Sequence, residues 1–329
     1  MQDLRTNVTE FIFLGFSDFS LSLQALLFSF FLFAYVLSLL GNGLIILTVT
    51  FESVLHTPMY FFLRNLSLLE LLFTTVTIPK VLDDFLSKKR SISFISCAVQ
   101  MFVFFAVGVS ECVFLAVMAL DRYVAICHPL RYMSIMNRTL CYKLTVGSWT
   151  LGFLVSLGQT TFIFTLPYCN SNHLDHFFCD IPPLLSLACA NIFVNELTVF
   201  IACLVGATVP FLLILCSYVN ILTSIMLIRS AEGRHKALST CGSHLTSVIL
   251  FYSTAMFMYL RLGTHGSSSN DRMIALFYCM VIPAINPMIY SLRNKDMKKA
   301  LVNICNPNSS PTAPLYLPFC LLPRVFRFC

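Results

Sequence analysis

Charge is scarce in this chain. Asp, Glu, Lys and Arg make up 11% of its 329 residues, 57% are hydrophobic and the mean hydropathy is +0.82, proportions that neither a soluble globular domain nor a disordered chain carries. Catalytic signatures are missing too. HExxH, GxSxG and the phosphate-cradling GxxxxGK[ST] do not occur in the contexts that give them meaning, so no enzymatic role and no cofactor is expected. No internal duplication marks the paired halves of a transporter. The opening MQDLRTNVTEF has charges at Asp3, Arg5 and Glu10 and lacks a basic leader, a short apolar core and a cleavage site, so it is expected to be retained rather than removed as a signal peptide. Basic residues are scattered over short connections, which excludes a nucleic-acid partner and fits contact with membrane lipid.

What the chain does have is seven long apolar runs, at 25–50, 58–82, 93–119, 140–166, 197–228, 238–260 and 273–290. Each suits a tilted helix crossing a bilayer, where only helices and closed barrels satisfy the backbone. The fold class expected is an all-α membrane protein, a seven-transmembrane helix bundle. With the N-terminus outside, fourteen of the 21 Lys/Arg fall on the inner side and seven on the outer, which sets the orientation; Lys88, Lys89 and Arg90 run against the trend. The domains follow: an extracellular tail at 1–24, the membrane domain at 25–292, an amphipathic helix at 293–304 and a cytoplasmic tail at 305–329. Met297, Ala300, Leu301 and Ile304 sit at helical spacing beside Lys295, Lys298 and Lys299, as an interfacial helix requires. The Pro/Ser-rich tail carries Cys305, Cys320 and Cys329 as candidate palmitoylation sites.

Polar residues inside these runs need partners. Glu70 and Glu111 are the acids deep in the spans; with Asn42 and Asn286 they can form a polar cluster, as a sodium site or as protonated interhelical contacts. Asp121-Arg122-Tyr123 closes the third run, and a guanidinium at that depth points to a switch at the membrane face. Tyr218 and Tyr290 are its candidate partners. Pro79 and Pro210 should disturb their spans, and Asn286-Pro287 makes the seventh deformable. Outside, Asn7-Val8-Thr9 is the glycosylation sequon a modifying enzyme can reach. Cys97, Cys169, Cys179 and Cys189 face the oxidising side, where three pairings are open. His173, His176, Cys179 and Asp180 have spacings compatible with metal ligation unless the thiol is committed to a disulfide.

Gly41-Asn42, PMYFFL at 58–63, MALDRYVAICHPLRY at 118–132, Ser217-Tyr218, KALSTCGSHL at 236–245 and PMIYSLRN at 287–294 follow one another in this order across the seven spans. Over residues 7–304 the sequence resembles a rhodopsin-like (class A) G-protein-coupled receptor, and within that group it is similar to tetrapod-type olfactory receptors, as is the run HFFCDIPPLLSLAC at 176–189. The resemblance implies disulfides Cys97–Cys179 and Cys169–Cys189. It implies that Arg122, released from Asp121, opens the inner face to a stimulatory olfactory-type G protein that raises cyclic AMP, with Tyr218 and Tyr290 stabilising its active position. It implies a plasma-membrane protein of olfactory sensory neurons that binds a small volatile odorant between the outer halves of spans three, five, six and seven. By position the odorant contacts are Met101, Phe104, Phe105, Gly108, Val109, Cys112, Ala202, Cys203, Gly206, Tyr252, Ala255, Met256, Tyr259, Leu276 and Cys279. Their apolar, sulfur-rich character suits a ligand held by dispersion. The chain departs from the family pattern at Leu120, where tyrosine is usual, at Glu70, where aspartate is common, at Ser253, where glycine is common, and after Ile304. Two other readings stand beside this one: a cation channel or transporter using Glu70 and Glu111, and a non-signalling receptor relic.

Overall fold

A computed structural model describes residues 8–15, 19–87, 89–169, 171–259, 269–292 and 295–304. The sequon Asn7 and the tail with Cys305, Cys320 and Cys329 lie outside the described residues, as do the side chains of Tyr259 and Leu276.

Among the described residues seven long helical segments make the body. They are α1 (Leu21–Phe51), α2 (Pro58–Leu86), α3 (Phe94–Cys127), α5 (Arg138–Phe164), the pair α7 (Phe193–Cys203) and α8 (Val209–Met226), α9 (Ala231–Tyr259) and α10 (Ser269–Leu292). Short helices α4 (Tyr132–Ile135) and α6 (Ile181–Ser186) lie in the inner and outer connections, and α11 (Lys295–Ile304) follows the bundle. Among the described residues five segments are both long and apolar enough to cross a bilayer: α1, α2, α3, α5 and Phe193–Met226. α9 begins with the polar run AEGRHK, and in α10 the side chains are described over Cys279–Tyr290, a stretch that is apolar.

Most helices overrun the predicted spans. α3 continues to Cys127 and α9 starts at Ala231. Hydropathy marks the hydrocarbon, whereas a helix satisfies its own backbone and extends into water until a cap stops it. The caps are local and readable. Ser20, Ser93 and Asn137 accept backbone N–H bonds from Leu23, Ser96 and Leu140, and Pro58 occupies the first turn of α2.

Pro210 deforms its span without breaking it. Residues Leu204–Thr208 form a π-helical turn in which the Val209 N–H donates to the Leu204 carbonyl. Proline has no N–H for the Gly206 carbonyl and its ring would crowd that oxygen; one widened turn relieves both.

α3 is the central helix, packed on α2, α5, α8 and α9. Gly152 of α5 sits so close to it that a Cβ there would collide with Ser110 Oγ and the Ala106 carbonyl. The outer end carries a small sheet that the apolar pattern does not predict. β1 (Glu10–Phe13) pairs antiparallel with β2 (Ser91–Ser93) and parallel with β3 (His173–Leu174). Its alternation buries Phe11 and Phe13 in an outer core with Met101, Ile163, Tyr168, Leu174, Cys179 and Val199. Part of the tail at 1–24 is therefore a packed strand. Cys97–Cys179 and Cys169–Cys189 are both bonded. On α11, Met297, Ala300 and Leu301 are buried while Asp296, Lys298 and Lys299 are exposed, the amphipathic pattern expected.

Candidate functional site

At the inner end of α3, Asp121 and Arg122 are both buried. The Asp121 carboxylate accepts a hydrogen bond from Tyr132 Oη of α4 at 2.8 Å. Burial and the neighbouring Asp121 push the Tyr132 phenol above its usual range, so it remains a donor. Arg122 Nη2 meets Met59 Sδ of α2 at 2.6 Å. Among the described residues the ion pairs join Lys80 to Asp83 and Asp84, and Lys89 to Glu10; none joins Asp121 to Arg122. Tyr123 Oη and His128 Nε2 lie 3.3 Å apart.

Tyr218 is occupied by a residue to which the sequence assigned no role. Its Oη lies 2.8 Å from His244 Nδ1, the two rings stack, and His244 Nε2 lies 3.0 Å from the Leu115 carbonyl. The Leu115 carbonyl can only accept, so Nε2 carries the proton and Nδ1 accepts from the phenol. One imidazole thereby joins α3, α8 and α9. Tyr290 Oη is buried with no hydrogen-bond partner among the described residues. In this structure neither tyrosine bonds Arg122.

The polar centre assembles as the sequence suggests and adds Ser247. Asn286 Nδ2 donates to Glu70 Oε1, and Ser247 Oγ donates to Asn286 Oδ1 at 2.9 Å. Asn42 Nδ2 donates at 3.1 Å to the Pro283 carbonyl, which a helix proline leaves available, and among the described residues the buried Asn42 Oδ1 has no partner. Glu111 is 4% exposed and lies within electrostatic reach of Glu70.

Further out, the positions expected to face a ligand gather unevenly. Phe104 packs between Phe73 and Phe178, with ring centroids 4.6 and 4.9 Å away. Phe105 touches both the main and the outer core. Val109 faces Gly206 across the widened turn; a Cβ on that glycine would lie 3.1 Å from it. The Cys112 carbonyl accepts from Tyr252 Oη at 3.3 Å, and the Tyr252 ring leans on Phe211. Cys279 is buried in the same core, while Gly108, Ala202, Cys203 and Ala255 are half-buried. Met101 is fully buried under the outer loop, and Met256 is 43% exposed, outside this group. Phe178 is a candidate that the sequence did not disclose, because a loop residue's reach depends on the disulfide that pins it. Gln100 holds the loop as well: its Oε1 accepts the Cys179 N–H and its Nε2 donates to the Val76 carbonyl. A lone carboxamide in an apolar span was the available signal.

The four loop residues whose spacing is compatible with metal ligation have other partners. Cys179 sulfur is in a disulfide, His176 Nδ1 faces the Phe178 carbonyl, Asp180 Oδ1 accepts the Ile181 N–H and His173 pairs with Ser171. Among the described residues no group of three or more His, Cys, Asp and Glu is placed to hold a metal ion.

A central third helix, a buried arginine at its inner end and a disulfide from its outer end to the loop between α5 and α7 define a seven-helix bundle of the rhodopsin fold. The structure of squid rhodopsin has this fold, at a TM-score of 0.70 and 18% identity over 87% of this chain and 82% of that one. At the level of sequence, a family model described as olfactory receptor matches residues 31–307, and the chain belongs to that family. Olfactory receptor 10AG1 of Homo sapiens is 50% identical over 292 residues, 89% of this chain and 97% of that one. Olfactory receptor 10A5 of Homo sapiens is 47% identical over 296 residues, 90% and 93% of the two chains. The protein is thus a membrane-embedded signalling receptor of the G-protein-coupled type and not an enzyme, and its family implies an odorant ligand and a G-protein partner.

Proposed function

We propose that this receptor binds a small, volatile, largely apolar odorant among the outer halves of its third, fifth, sixth and seventh spans and activates a stimulatory G protein, raising cyclic AMP at the plasma membrane of olfactory sensory neurons. The observation that carries this reading is the Tyr218–His244–Leu115 connection beside Arg122. It ties together the inner ends that must part for a G protein to enter. An odorant need only bind the parted conformation more tightly to shift the population. Tyr218, once freed from His244, and Tyr290, whose hydroxyl has no geometric hydrogen-bond partner among the described residues, would then take up Arg122. Tyr123, beside the switch, and Pro287, which makes the seventh span deformable, belong to the same machinery.

The polar centre would regulate that equilibrium. Glu70, Glu111 and the orphan oxygen of Asn42 offer hard oxygen donors of the kind a sodium ion takes. A bound cation would hold α1, α2, α3 and α10 together. On the outer tail, Asn7 would carry the glycan.

The test is cyclic AMP in cells displaying the tagged chain during a screen of volatile compounds, with Arg122→Ala as control. A ligand-dependent rise that Arg122→Ala abolishes is expected. A rise of equal size in that variant would sink the switch, and a current that survives without G protein and disappears in Glu111→Gln would favour a channel.

A further inference from the structure

Along its length α5 changes partners. From the inside outward, Ser110 Oγ donates to the Ser148 carbonyl at 3.2 Å, Gly152 abuts Ser110 and Ala106, and Ser156 Oγ donates to the Phe102 carbonyl at 2.6 Å. All three contacts are with α3. One turn further out Gln159 turns to the fifth span: its Nε2 donates to the Thr198 carbonyl at 2.9 Å, and Asn195 Nδ2 continues this seam by donating to the Phe162 carbonyl at 3.0 Å. Gln159 therefore stands at the fork where α5 leaves α3 for α7. Ile163, one turn above Gln159, and Val199, beside Thr198, belong to the core on which Phe105 and Cys203 pack. Both of those residues are among the odorant positions.

The amide orientation follows from its partner. A carbonyl only accepts, so the Gln159 NH2 must face Thr198 and Oε1 must face away. Among the described residues Oε1 has no hydrogen-bond partner, and it is buried in a residue that is 7% exposed. A buried acceptor left unmade is costly, and a ligand hydroxyl removes that cost.

We infer that Gln159 supplies the polar contact of the odorant site and selects a neutral ligand carrying one hydroxyl on an apolar skeleton. The inference rests on the odorant-receptor reading and names the ligand class within it. An acceptor cannot serve an ether, an ester or a hydrocarbon. Anions have no cation to meet among the described outer residues, because Lys80 is held by Asp83 and Asp84, Lys89 by Glu10, and Arg90 by Gln24 and the Asp84 carbonyl.

The test uses the full tagged chain in cells, normalised to surface label, with cyclic AMP as readout. Linear, cyclic and aromatic skeletons are each presented as hydrocarbon, methyl ether, alcohol and primary amine. The wild type is expected to answer an alcohol at about a tenfold lower concentration than the matched ether, the upper range for one neutral hydrogen bond. Gln159→Met should erase that difference while leaving the ether response within about twofold. Ether and alcohol acting equally on the wild type overturns the inference without any variant, so a Gln159→Met that fails to fold does not rescue it. An amine that outperforms the alcohol, or a Gln159→Met that shifts ether and alcohol alike, overturns it too. In each of these cases the odorant-receptor reading stands. Silence towards every skeleton by a chain labelled at the surface counts against that reading, and the inference falls with it.

Discussion

Gly152 has no room for a methyl group, whereas Gly147 and Gly158 on the same helix have nothing within 4 Å of a built Cβ. Gly152→Ala must therefore push α5 off α3 or bend its backbone, a strain of about 1–3 kcal/mol for overpacking a filled interface. Thermal unfolding in detergent should show Gly152→Ala several degrees below the wild type and Gly147→Ala close to it. Equal melting temperatures would mean that the two helices are not in contact at that level. Sequence reading at this scale succeeds where a residue contrasts with its surroundings. Glu70, Asn286 and Asn42 are polar in apolar runs, so their need for partners was visible, and the structure joins Asn286 to Glu70 and Asn42 to the Pro283 carbonyl. His244, Met59 and Gln159 were not placed, because which carbonyl, sulfur or amide lies opposite is decided by the rotation of one helix against another, and no local pattern encodes it.

The sheet at the outer end depends on short strands and one exposed ion pair. Lys89 Nζ lies 2.7 Å from Glu10 Oε1, and that contact holds the Glu10 carboxyl below its usual range. A depressed carboxylate contributes stability above its unfolded-state value and loses it as the pH falls through the folded value. Protection of the amides of residues 10–13 against hydrogen exchange should accordingly decline under acidic conditions below the ordinary carboxylate range. Glu10→Gln should remove that pH dependence while leaving protection under neutral conditions only slightly reduced, since an exposed pair contributes little. Protection in the variant that still falls with acid would assign the effect to another group. None of this sheet was legible in the amino-acid order. Strands of two to four residues carry too few side chains to show alternation against an apolar background, and the partners of β1 come from two distant loops. The helices were legible because about twenty apolar residues in a row suit a bilayer-crossing helix and little else. Their ends were not, because hydropathy stops at the hydrocarbon.

For the whole molecule the question is where the resting equilibrium lies. His244→Phe keeps the stacked ring against Tyr218 and removes both polar contacts, to the phenol and to Leu115. Two neutral hydrogen bonds are together about 1–3 kcal/mol. Ligand-independent cyclic AMP should rise several-fold at equal surface display, because the parted conformation no longer competes with the connection. A basal signal unchanged or lowered in this variant would place His244 outside the resting constraint.

The widened turn at Leu204–Thr208 accommodates one residue more than a regular helix would over the same length, and each residue of an α-helix turns the chain by about 100°. The outer half of the fifth span, with Ala202 and Cys203, is therefore phased against α3 by that single extra residue, independently of the inner half that carries Tyr218. Loss of one residue within the turn would present a different stripe of side chains to α3 while leaving the inner half, with Tyr218, in register. A lineage built on this scaffold can thus re-aim the outer half of its fifth span by an indel of one codon, without altering the inner half.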